Sequence, residues 1–187
     1  MYDNIRADLQ HFRRSSGPLT TLEVLKLAIH SFGFQALMVY RLGRWLRDRA
    51  QTATGWPWRL LLPISRLSSR CIGKIYGIYL DPDSQIGAGF YIGHIGGIHV
   101  TNCRLGAGCS IHQRVRIGPA KGGETGPVIG DRVWIGGHAT IQGAFRVGDG
   151  ATVGAGAVVM RDVAERALVV GSPARVIRRQ YDNTAIL

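Results

Sequence analysis

Residues 128–159 read VIGDRVWIGGHATIQGAFRVGDGATVGAGAVV. An aliphatic residue returns every six positions without a break: Ile129, Ile135, Ile141, Val147, Val153 and Val159. Glycine often follows it, as in Ile129-Gly130, Ile135-Gly136, Val147-Gly148 and Val153-Gly154. That period suits neither an α-helix nor a plain alternating strand. It fits a solenoid of short strands and tight turns, with the aliphatics inward and small residues at the corners.

The same period runs upstream. Ile86, Ile92 and Ile98 keep it; after one extra residue so do Leu105, Ile111 and Ile117. The stretch GPAKGGETGP (118–127) interrupts the pattern and predicts a loop thrown out of the solenoid. Each coil has three sides, so matching positions stack about every 18 residues once insertions are allowed for. Before the solenoid, Leu22, Leu25 and Ile29, then Ala36, Leu37 and Tyr40, recur at helical spacing, with Gly33 as the predicted break. The expected organisation is a helical region at 1–78, a β-solenoid at 79–164 with its loop at 118–127, and a tail at 165–187.

Composition bounds the function. The chain has 26 glycines in 187 residues, roughly twice the usual share of about 7%. No strict third-position glycine runs through it, which excludes collagen. A net charge of +11 favours an anionic partner. No zinc-finger, RRM-like or basic-helix pattern accompanies it, so nucleic acid is not expected. Cys71, Cys103 and Cys109 show no CxxC spacing and fit a reducing compartment. No metal-ligand constellation appears. The start, MYDNIRADLQHFRR, is charged and is no signal peptide. The apolar runs are broken by arginines, so no membrane span is expected and the predicted location is cytoplasmic. Residues 56–80 mix Trp, Leu and Ile with Arg59, Arg66, Arg70 and Lys74 and no acid. Two readings of them stay open: a helix packed on the body, or a peripheral contact with the inner face of an anionic membrane.

The chemistry concentrates in GFYIGHIGGIHV (89–100). His94 is third in its hexad, and the positions stacked on it are Gln113, Gly137 and Ala155. A histidine above a column that shrinks to glycine and alanine leaves a groove for a long, thin ligand. Imidazole titrates near neutral pH and suits a general base; a solvated surface histidine is the bland alternative. His112 falls on the same face one coil on, and His99 opens the next side. His138 reads as structural, and His11 and His30 carry no signal.

The hexads resemble those of the hexapeptide-repeat acyltransferases, whose fold is a left-handed parallel β-helix. GFQALMVYRLGRWL (33–46) and GFYIGHIGGI (89–98) resemble the segment before the β-helix and the active-site strand of serine O-acetyltransferases. VWIGGHATI (133–141), GAGAVV (154–159) and GSPARVI (171–177) are similar to sugar O-acetyltransferases of the same superfamily. The resemblance implies a mainly β fold and acetyl transfer from acetyl-CoA to a hydroxyl, without a metal. It also implies a homotrimer, or a higher assembly, with clefts between neighbouring β-helices. By motif position His94 is the base. The small residues Gly136, Gly137, Gly154 and Ala155 match the lining of the pantetheine arm. Gly118 and Lys121 in the loop are candidates for CoA phosphates or carbonyls, and Arg175, Arg178 and Arg179 for its nucleotide end.

Three positions depart from the serine-enzyme pattern. Gly93 stands where that family carries an Asp before the His. Tyr79 stands where it carries the Asp that orients the base, with Asp81 at the following His. Thr125-Gly126-Pro127 stands for Arg-His-Pro. These losses strip the groups that grip a serine zwitterion. The sequence therefore predicts a saccharide acceptor in surface-polysaccharide synthesis, contacted by Tyr79, Asp81, His99, His112 or Gln113. Serine O-acetylation in cysteine biosynthesis is the alternative.

Overall fold

The computed structural model describes residues 2–13, 20–52 and 56–187. It is a left-handed parallel β-helix of three sheets preceded by helices. One sheet joins β1 (Ile78–Leu80), β4 (Ile98–Val100), β7 (Arg116–Gly118), β10 (Thr140–Gln142) and β13 (Val158–Val159). The second joins β2 (Gln85–Ile86), β5 (Arg104–Leu105), β8 (Val128–Ile129) and β11 (Arg146–Val147). The third runs β3 (Tyr91–Ile92), β6 (Ser110–Ile111), β9 (Trp134–Ile135), β12 (Thr152–Val153), β14 (Leu168–Val170) and β15 (Arg175–Arg178).

The register explains the sequence period. Ile135 pairs with Val153, a step of 18 residues. Ile92 pairs with Ile111, which absorbs the one extra residue, and Ile111 with Ile135 across the loop. All twelve periodic aliphatics are at most 6% exposed. Two residues before many of them lies a second buried row, including Cys109, Val115, Val133, Ala139, Ala151 and Ala157. The core is thus a close-packed stack, to which each aliphatic contributes about 1.5–3 kcal/mol of burial. Parallel pairing starts at Ile78 and reaches Val169, beyond the 79–164 span drawn from the period. Residues 168–178 form two strands of the third sheet, with β15 antiparallel to β14.

Helices α1 (Tyr2–Arg13), α2 (Thr21–His30), α3 (Phe32–Ala50), α4 (Trp56–Arg59) and α5 (Leu62–Tyr76) precede the coils. A capping box between Thr20 and Glu23 starts α2. The break between α2 and α3 falls at Ser31, not at Gly33. Gly33 lies inside α3 because a Cβ there would stand 2.5 Å from the Ile92 carbonyl oxygen, so glycine lets the helix touch the first coil. Ala36, Leu37 and Tyr40 are buried against the coils, whereas α2 buries no residue.

A buried ion pair locks α1 and α3 to the solenoid. Arg41 Nε and Nη2 donate to the Asp8 carboxylate at 3.0 and 3.1 Å. The remaining guanidinium donors reach the carbonyls of Ile86 and Gly87. Asp8 also accepts from the Phe90 amide, and its side chain is wholly buried.

Candidate active site

His94 lies in the turn between β3 and β4, exposed on the corner between two sheets. His112, one coil on, comes within 5.8 Å of it between ring centroids. Trp134, a further coil on, stands 5.1 Å from His112. Three rings thus climb three successive coils. A Cβ at Gly93 would stand 2.7 Å from His112 Nδ1 and 2.8 Å from Cε1. Glycine at 93 is the space that the His112 ring fills.

The register carries His94, Gln113, Gly137 and Ala155 into one column, as the spacing predicts. The column is less bare than a row of small residues suggests. The Gln113 amide lies over Gly137, whose Cβ would meet Nε2 at 2.9 Å, and the Trp134 ring borders Gly136. Val170 borders Gly154. The open part of the groove is at Ala155, which is exposed, and Gly156, where a Cβ would meet nothing within 4 Å. Gln113 Oε1 is buried and has no hydrogen-bond partner among the described residues. A buried acceptor left unpaired is costly, and it marks a place for a donor from a bound molecule.

The other candidates separate into different places. Tyr79 stacks on His99 on the adjacent sheet, with centroids 4.7 Å apart and planes 13° from parallel. Burial and then the Arg116 guanidinium lower the His99 pKa. Asp81 accepts from the Asp83 amide within a tight turn, so its carboxylate is spent on the chain's own backbone. Gly118 ends β7, where a Cβ would collide with Thr101 Oγ1. Lys121 is exposed on the loop. Arg175, on β15, is exposed at the edge of the third sheet opposite β3. Five strand spacings, about 24 Å, separate those two edges. Gly126 approaches Asn102 so closely that a Cβ there would collide with its carbonyl oxygen. Among the described residues no three metal-ligating side chains converge.

Two residues with no signal in the sequence join the site. His11 Nδ1–H donates to the Gly89 carbonyl at 2.5 Å, and its ring lies 5.6 Å from the Tyr91 ring. With His112, Trp134, Ile186 and Leu187 it lines a cavity of about 510 Å³ beside the histidine ladder. Residue 183 holds the tail in place there, its Asn Nδ2 donating to the Arg132 carbonyl at 2.9 Å. Contacts between residues tens of positions apart through single side chains leave no periodic trace.

The family described as bacterial transferase hexapeptide (six repeats) matches residues 126–161. A serine acetyltransferase of Synechococcus elongatus is 32% identical over 96% of this chain and 70% of its own length. The chain belongs to the serine acetyltransferase family. Serine acetyltransferase 2 of Arabidopsis thaliana is 34% identical over 94% of the chain, which spans about half (51%) of that longer protein. The crystal structure of Neisseria gonorrhoeae serine acetyltransferase in complex with serine superposes with a TM-score of 0.77 at 27% identity, covering 95% of this chain and 69% of that one.

As a member of this family the protein is an O-acetyltransferase that uses acetyl-CoA. The saccharide acceptor expected from the sequence is overturned: the relatives matched along nearly the whole chain are serine acetyltransferases. The error has a physical source. The expectation rested on Gly93, Tyr79 and Thr125-Gly126 as acceptor groups lost. Packing accounts for all three: Gly93 makes room for the His112 ring, Gly126 for the Asn102 carbonyl, and Tyr79 stacks on His99.

Proposed function

We propose that the protein transfers acetyl from acetyl-CoA to the side-chain hydroxyl of L-serine, with His94 as general base. The His94 imidazole takes the hydroxyl proton as the oxygen attacks the thioester carbonyl. The carbon–sulfur bond then breaks, and the proton passes to the departing thiolate. Acetyl-CoA lies along the third sheet, its thioester at His94 and its nucleotide end toward Arg175. The serine reading is supported by the serine acetyltransferases that match nearly the whole chain, and Gln113 Oε1, a buried acceptor without a partner in the column below His94, offers a place for a substrate donor. An ammonium group has donors for it. It stands in for the carboxylates absent at positions 79 and 93.

His94 is exposed at a corner of one solenoid rather than enclosed by it. A wall from a neighbouring copy completes a cleft there, so the working unit is a homotrimer, in the cytoplasm. Thiol release from acetyl-CoA with L-serine tests the reading. His94→Ala lowers kcat about 10²–10⁴-fold with an unchanged circular dichroism spectrum. Gln113→Ala raises KM for serine but not for acetyl-CoA. A wild-type kcat/KM for serine two decades below about 10⁴ M⁻¹s⁻¹, the low end for an enzyme on its own substrate, refutes the assignment.

A further inference from the structure

Helix α5 packs on α3 through one face. Its other face carries Ile64, Leu67, Cys71 and Ile75, spaced so that they form one stripe. Ile64, Leu67 and Ile75 are 60%, 61% and 72% exposed, and Leu60 extends the stripe into the preceding turn. Immediately before three of these residues stand Arg66, Arg70 and Lys74, a ladder of exposed cations along one flank. None of the three pairs with a carboxylate among the described residues. At the end of α5 the Tyr76 ring rests 4.8 Å from Phe32, and beyond it α2 exposes Leu22, Leu25 and Ile29. No single helix among the described residues is long and apolar enough to cross a membrane.

An apolar stripe of this extent marks a surface that is covered in use. A second copy is poor cover, because α5 carries no acidic residue and so brings no anion to the cations. An anionic lipid surface satisfies both halves at once: the acyl boundary takes the aliphatics and the headgroups take the cations. We propose that α5 docks the protein on the face of an anionic bilayer, lying in its plane.

The full chain is sedimented with phosphatidylcholine–phosphatidylglycerol vesicles and with phosphatidylcholine vesicles, at low and high salt, and the mass of the same samples is read by light scattering. The expected result is binding to the anionic vesicles alone, weakened by salt. Arg66→Glu, Arg70→Glu and Lys74→Glu together lower the partition on the order of 10²-fold, at about fivefold per cation. Ile64→Glu with Leu67→Glu lowers it at least roughly tenfold. All these residues are exposed, so acetyl transfer stays at the wild-type rate and reports intact folding. Absence of vesicle binding, or equal binding to both vesicles, overturns the proposal. So does a fall in the protein's mass on Ile64→Glu with Leu67→Glu while vesicles are ignored, which makes the face a contact between copies.

Discussion

Gly93→Ala tests the ladder of rings on which the candidate site rests. The added methyl would stand 2.7 and 2.8 Å from two atoms of the His112 ring. Ordinary carbon contacts start at about 3.5 Å, so the ring must retreat by about 0.8 Å. Trp134, 5.1 Å away between centroids, lies in its path. An off-rotamer side chain costs about 0.5–1.5 kcal/mol and overpacking about 1–3 kcal/mol. At about 2–4 °C per kcal/mol for a chain of this size, the thermal midpoint falls by roughly 3–18 °C. The catalytic loss is larger in proportion, because His94 touches the ring that moves and a displacement of about 1 Å costs about 10²-fold in rate. The assay is kcat/KM for serine beside a calorimetric scan, closed as a double-mutant cycle with His112→Ala. In that background the space is empty, and Gly93→Ala adds nothing further. Gly93→Asp meets the same ring and so fails to raise serine activity. A Gly93→Ala enzyme within threefold of wild type and with an unchanged midpoint would show that the ring does not occupy this space.

Asp8→Ala leaves the Arg41 guanidinium and the Phe90 amide without their carboxylate. Breaking a buried pair costs about 3–5 kcal/mol, so the midpoint falls by about 6–20 °C, and Asp8→Leu with Arg41→Met recovers most of it; a single mutant within about 2 °C of wild type refutes the network. Burial pushes the Cys103 and Cys109 thiols up to about 12, so an aromatic disulfide reagent at pH 8 titrates only the exposed Cys71 in the native protein and all three thiols after denaturation. Rapid release of three equivalents from native protein would contradict the packing. The lowered pKa of His99 means that its neutral form is favoured on folding. Its contribution is present above the unfolded value of about 6.5 and is lost as the pH falls. His99→Gln therefore flattens the decline of the thermal midpoint between pH 7 and pH 5, and an identical decline in the variant counts against the burial.

The six-residue period by itself determined the solenoid, its inward aliphatics and even the column from His94 to Ala155. In a parallel β-helix each coil repeats its predecessor's register, so sequence distance converts directly into stacking. The interruption after β7 was legible for the same reason, as a gap in an otherwise regular count, although Gly118 itself ends the strand. The helices carried a weaker signal. Leu22, Leu25 and Ile29 have the spacing of a buried face and yet lie exposed, because periodicity shows that a face is apolar without showing what covers it. Only the tertiary structure decided that Gly33 and Gly93 are contacts rather than breaks or losses. It alone brought His11, Asp8 and Arg41 to the first coil and tied the tail across later ones. Those pairings join residues tens of positions apart through single side chains, so they repeat nowhere in the chain. The saccharide reading from positions 79, 93 and 126 fails for that reason: each residue answers to a neighbour one coil away, the His99 ring, the His112 ring or the Asn102 carbonyl, which sequence order does not display.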